Sequence, residues 1–114
     1  VSVLKGKIFD VVIDLRPKSK TFGHKYSTIL SEKNSKSLYI PEGFAHGFLS
    51  MSRSTKISYK VNKPYNKSSE CSIAWNDKDI LINWPCKKPI LSSKDKLALS
   101  FKKNYETNNF SITQ

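Results

Sequence analysis

Two cysteines, two histidines and two arginines are all that this 114-residue chain holds of the residue types that most often build a staple, a metal centre or a bidentate anion clamp. Cys71 and Cys86 form neither a CxxC pair nor a dense framework, which excludes a disulfide scaffold and leaves a reduced, cytoplasmic compartment as the expectation. Both are read as small buried residues. His24 and His46 stand far apart with no HxH or HxxxH pairing, so no metal is expected. Acidic residues are scarce as well, 9 against 20 basic ones, for a net charge of +11.

That excess makes a polyanion the first partner to consider. Its distribution argues otherwise. Residues 1–57 carry ten Lys and Arg and residues 58–114 carry ten, so there is no basic arm, and 18 of the 20 are Lys, which lacks the planar fork that grips phosphate or guanine. The charge reads as solvated surface, and no nucleic-acid partner is expected. Long hydrophobic runs are missing too: Val11-Val12-Ile13 is among the longest, far short of the about 20 residues a membrane span needs. Neither a membrane segment nor a charged-then-apolar leader is visible.

What is present is enough apolar volume, 38% of residues with 11% aromatic, to fold one domain around one core. The chain reads as short strands separated by turn chemistry. Val1 to Leu4 precedes Gly6, and Lys7 to Leu15 is a β-branched run that alternates Phe9, Val11, Ile13, Leu15 against Ile8, Asp10, Val12, Asp14. Two largely apolar faces imply a sheet packed against a second sheet, with Asp10 as a carboxylate among aliphatics. Further strands are expected at Lys25–Leu30, Ser37–Ile40, Phe44–Leu49, Thr55–Val61 and Cys71–Trp75. Strands at this spacing predict an antiparallel sandwich or barrel. From Ser92 the period changes, with Leu97, Phe101 and Tyr105 at i, i+4 and i+8 and Ser92 and Asp95 placed as a capping pair. One short C-terminal helix is expected, giving a β domain over 1–96 and a helix with a frayed tail over 97–114.

The string Ile40-Pro41-Glu42-Gly43-Phe44-Ala45-His46-Gly47-Phe48 is far less generic. Together with Asp10 to Arg16, Thr21-Phe22-Gly23, Tyr59-Lys60, Trp75-Asn76-Asp77 and Leu91 to Asp95, in that order, it closely resembles the dTDP-4-dehydrorhamnose 3,5-epimerase family. The resemblance implies an all-β, cupin-like antiparallel jelly roll, a homodimer, and no cofactor. It implies a dTDP-linked 4-keto-6-deoxy sugar as substrate. It also carries roles to particular residues: Tyr59 as proton donor, Asp95 as the carboxylate paired with a histidine base, His46 as a pocket histidine, Tyr65 as the stack for thymine, Glu70 and Lys94 as nucleotide contacts, and Asp10 as an active-site acid. Each has a plainer alternative, from barrel aromatic for Tyr59 to helix cap for Asp95, core histidine for His46 and surface positions for Tyr65, Glu70 and Lys94.

The family's base lies in an Arg-Gly-Leu-His string upstream of the strand that begins at Val1, and nothing here matches it. The expectation is therefore a family member lacking its N-terminal third. Alternatives to C3 and C5 inversion are a C3-only deoxysugar epimerase and a catalytically incomplete cupin remnant that binds a nucleotide sugar.

Overall fold

The computed structural model describes residues 1–60 and 72–106, with the side chains of Lys94 and residues 104–106 outside that description. Among the described residues five strands follow in order: β1 (Ser2–Lys5), β2 (Lys7–Asp14), β3 (Lys25–Ser31), β4 (Phe44–Ser50) and β5 (Lys56–Ser58). Two short helices come last among the described residues, α1 (Ser93–Lys96) and α2 (Phe101–Glu106). All the strand pairs are antiparallel, β3-β2-β4 in one sheet and β1-β5 in the other. The fold is a cupin-like antiparallel jelly roll with short C-terminal helices.

Central strand β2 is buried on both faces, which explains its β-branched composition. On one face Ile8 and Leu30 pack with Val3 of β1, flanked by Ile57 of β5, so the small sheet covers this side. On the other, Val11, Ile13 and Leu15 cluster with Ile80, and Phe22, Trp84 and Phe101 pack around them. The expectation of a second sheet holds for the first face alone. Among the described residues the second face is covered by the segment 73–84 and by α2.

Gly6 is the one residue between β1 and β2, and it turns the chain from the small sheet into the large one with φ of +89°. A β-carbon there would lie 2.6 Å from the Ser54 carbonyl oxygen and 3.0 Å from Thr55 Oγ1. Backbone cannot yield as a flexible side chain does. Gly6→Ala is expected to lower stability by about 2 kcal/mol or more, from left-handed strain plus the clash. A urea midpoint equal to that of the unaltered chain would count against this account of the bend.

Four sequence expectations need correction. Ser37–Ile40 is not a strand: Ser37 makes an isolated bridge to Ser2, and Tyr39 is 83% exposed. Of Cys71–Trp75, Ile73 alone forms a bridge, parallel, to Leu99, and Cys71 lies outside the described residues. That bridge also divides the C-terminal helix in two. Ala74 N–H donates to the Leu99 carbonyl at 2.7 Å, so the chain runs extended between α1 and α2, and Leu97 points to solvent while Phe101 packs inward. Pairing with the 73–74 segment outcompetes the continued helix that the i, i+4, i+8 spacing predicts. Cys86, read as buried, is an exposed free thiol.

Candidate functional site

The period-2 alternation of two neighbouring strands assembles the first part of the site. In the β2–β4 register Asp10 faces Phe48 and Val12 faces His46, so His46 stands diagonally across from Asp10 on the same side of the sheet. Its Nε2 hydrogen-bonds Asp10 Oδ1. Asp10 is completely buried and His46 partly so, with 18% of its side chain exposed. The other carboxylate oxygen, Oδ2, has no partner among the described residues. A buried acceptor left unsatisfied costs about 1–3 kcal/mol, so its retention calls for an explanation beyond packing.

Tyr59 comes to the same pair from the end of β5. Its ring meets His46 edge-on, with centroids 6.2 Å apart and planes at 77°. Burial, and after it the negative charge of Asp10, push the phenol above its ordinary value. A raised value keeps the hydroxyl protonated at neutral pH. Tyr59 is therefore a neutral donor, half exposed, beside a buried carboxylate–imidazole pair.

Along β4 runs a cavity of about 410 Å³, within the range of small-ligand sites. All six residues from Phe44 to Leu49 line it, so it wraps the edge of this strand and takes in both of its faces. Val11, Ile13 and Leu15 contribute from β2, and Trp75, Trp84 and Leu91 from the covering segment. That segment is held by Trp84 Nε1–H donating to the Trp75 carbonyl at 2.7 Å and by the edge contact of Trp84 with Phe9 at 5.7 Å. Asp95 lines the cavity as well, placed by α1, whose first turn is capped where Asp95 N–H donates to Ser92 Oγ at 3.1 Å.

The structure thus brings together three of the residues singled out in sequence, Asp10, His46 and Tyr59, and puts Asp95 on the cavity that His46 also borders. Lys94 lies in α1, but its side chain is outside the described set, and Tyr65 and Glu70 fall in the undescribed stretch 61–71. Among the described residues no three of His, Cys, Asp and Glu converge as a metal would require, and no helix is long and apolar enough to cross a membrane.

Two features escaped the sequence reading. Phe48 shares the face of His46, with ring centroids 6.0 Å apart at a 31° tilt. The signal was present, since residues two apart on a strand share a face. The second is a lock behind β4. Asp14, 2% exposed, accepts from Arg16 N–H and Nε–H at 3.0 Å, from Arg16 Nη2 at 2.9 Å, from Ser19 Oγ at 2.6 Å and from Thr21 Oγ1. The Arg16 guanidinium lies 4.8 Å from the centre of the Phe44 ring, at the start of the strand that carries His46. These donors, Arg16 first, hold the Asp14 carboxyl far below the usual carboxylate range.

Comparison with known proteins gives a consistent result. A family profile described as dTDP-4-dehydrorhamnose 3,5-epimerase matches residues 1–103. The chain is 46% identical over 95 residues to the enzyme of that name from Shigella flexneri, covering 83% of this chain and 52% of that protein. It is 48% identical over 94 residues to the one from Salmonella typhimurium, covering 82% and 51%. Among solved structures it is similar to the dTDP-4-dehydrorhamnose 3,5-epimerase of Elizabethkingia anophelis, with TM-score 0.87 and 45% identity over 90% of this chain and 57% of that one. It is likewise similar to the dTDP-6-deoxy-D-glucose-3,5-epimerase of Legionella pneumophila, solved in complex with dTDP-4-keto-L-rhamnose, with TM-score 0.85 and 41% identity over 89% and 54%. The chain spans about half the length of the curated relatives it matches.

Proposed function

This chain belongs to the dTDP-4-dehydrorhamnose 3,5-epimerase family, and from that premise we propose that it carries the acid side of an epimerase site for dTDP-4-dehydro-6-deoxy-D-glucose. Hydrogens at C3 and C5 of that sugar are acidified by the ketone at C4. Removing one gives an enolate, and returning a proton to the opposite face inverts the carbon. The observation that carries the reading is the protonated Tyr59 phenol standing against His46, which is hydrogen-bonded to the buried Asp10 and borders a cavity of small-ligand size.

Tyr59 donates the proton to the carbanionic carbon. Asp10, by taking the Nε2 side of His46, fixes the ring orientation and leaves Nδ1 to meet the substrate. Asp95 stands on the cavity to pair with a histidine base, which the family places upstream of the residues present here. Lys94 and Glu70 contact the nucleotide, and Tyr65 stacks on its thymine. The enzyme works as a homodimer, without metal or cofactor, in the cytoplasm. The exposed free thiol of Cys86 agrees with a reducing compartment.

The test is solvent exchange. The complete gene product carrying this chain, incubated in D₂O with dTDP-4-dehydro-6-deoxy-D-glucose, is expected to place deuterium at both C3 and C5 and to give the L-rhamno configuration. Label at C3 alone would make it a single-site epimerase. No label at either carbon overturns the reading and favours a binding protein without catalysis.

A further inference from the structure

The surroundings of Phe48 are unusual for a large apolar side chain. It pairs directly with the buried Asp10 across the β2–β4 ladder, lies against the His46 ring at 6.0 Å, lines the cavity, and is still 41% exposed. One side of its ring is occupied by an imidazole that Asp10 holds in place. An aromatic surface fixed in this way next to polar groups is the arrangement that binds a molecule with one apolar and one polar side. A pyranose is such a molecule: its axial C–H bonds form an apolar patch, and its hydroxyls project from the rim.

We propose that Phe48 is the platform on which the sugar ring of the substrate rests, so that His46 and Tyr59 meet the ring from the side. The proposal rests on the epimerase reading above. In this arrangement the hydroxyls at the sugar's rim point toward the buried end of the site, where Asp10 Oδ2 is without a partner among the described residues. A 6-deoxy sugar suits the platform better than its 6-hydroxy counterpart, because C6 as a methyl extends the apolar patch and a hydroxyl there would have to shed water against Phe48.

A platform acts on ground state and transition state alike, so its loss appears in KM rather than in kcat. Steady-state kinetics on the complete gene product, with Phe48→Ala, Phe48→Leu and Phe48→Tyr, test this. Phe48→Ala and Phe48→Leu are expected to raise KM for the dTDP-linked sugar by about tenfold, with kcat within about threefold. Phe48→Tyr, which keeps a flat ring, returns KM to within about threefold of the unaltered value. Inhibition by dTDP alone, which has no sugar, is the readout a general loss of structure would move, and it is expected to stay the same in all three. If Phe48→Leu binds the sugar as well as the unaltered protein, or if every variant loses dTDP inhibition in parallel, the platform is wrong and the epimerase reading stands. If the unaltered protein inverts no carbon, both fall.

Discussion

In the complete gene product, replacing the proposed proton donor Tyr59 by Phe is expected to lower turnover by about 10²–10⁴-fold, the range that one positioned acid supplies. The change removes a hydroxyl and keeps the ring whose edge meets His46, so the packing that holds the imidazole remains. Two readouts separate loss of the acid from loss of the site. KM for the dTDP-linked sugar stays within a few-fold, and in D₂O the carbon-bound hydrogen still washes out of unconverted substrate, because abstraction precedes the step that needs the phenol. In the unaltered protein the phenol is raised above its ordinary value, so it imposes no alkaline decline on kcat/KM below about pH 10. A Phe variant that inverts the sugar within twofold of the normal rate would remove Tyr59 from the mechanism.

The largest effect on stability is expected at Asp14. Its buried carboxylate takes hydrogen bonds from Arg16, Ser19 and Thr21, and Asp14→Ala leaves those donors facing a gap. Arg16 is 46% exposed and is rehydrated when its partner goes, so the loss is that of hydrogen bonds to a charged acceptor, about 1.5–3 kcal/mol, and each kcal/mol is about 4–8 °C of melting temperature in a domain of this size. The pH dependence follows from the depressed folded-state value. Asp14 stabilises the fold fully above the unfolded carboxylate value of about 3.9, and the contribution fades as pH falls below that toward the much lower folded value. Thermal melts between about pH 2 and 5 therefore fall less steeply in Asp14→Asn than in the unaltered chain, with the variant already less stable at neutral pH. Coincident melting curves at pH 7 would refute this role.

The strands were legible where side-chain alternation is strong, and least so where tertiary pairing decides. Lys7 to Leu15 shows its two faces in sequence because Phe9, Val11, Ile13 and Leu15 make one face apolar while Ile8 and Val12 alternate with Asp10 and Asp14 on the other, and β2 is buried on both sides. Tyr39 and Ile40 have the right composition for a strand, but with Pro41 following and a single bridge at Ser37 they find no ladder to join. Helix spacing over 97–105 was real and still misleading, since Leu99 gains a backbone partner in Ala74 that no local rule announces. For the site, alternation predicts that Asp10 shares a face with Ile8 and Val12. It does not predict that His46 arrives diagonally, because register between strands distant in sequence is set by the whole sheet. Tyr59 was found through the family motif alone; its approach to His46 from beyond the end of β5 leaves no periodic trace.

Asp77 carries a consequence for how the molecule moves. Its Oδ1 accepts from Asp79 and Ile80 N–H at 2.9 Å, while Oδ2 accepts from Phe101 N–H at 2.7 Å, at the first residue of α2. One buried carboxylate is thus the common anchor of a loop and a helix 24 positions apart. The two are coupled: lifting α2 strips Asp77 of a donor, and unravelling the loop carries away an acceptor that holds the helix. Ile80 and Phe101, both packed on β2, leave or stay together. The cover over this side of the sheet is therefore expected to open cooperatively, with matched hydrogen-exchange protection of the Ile80 and Phe101 amides.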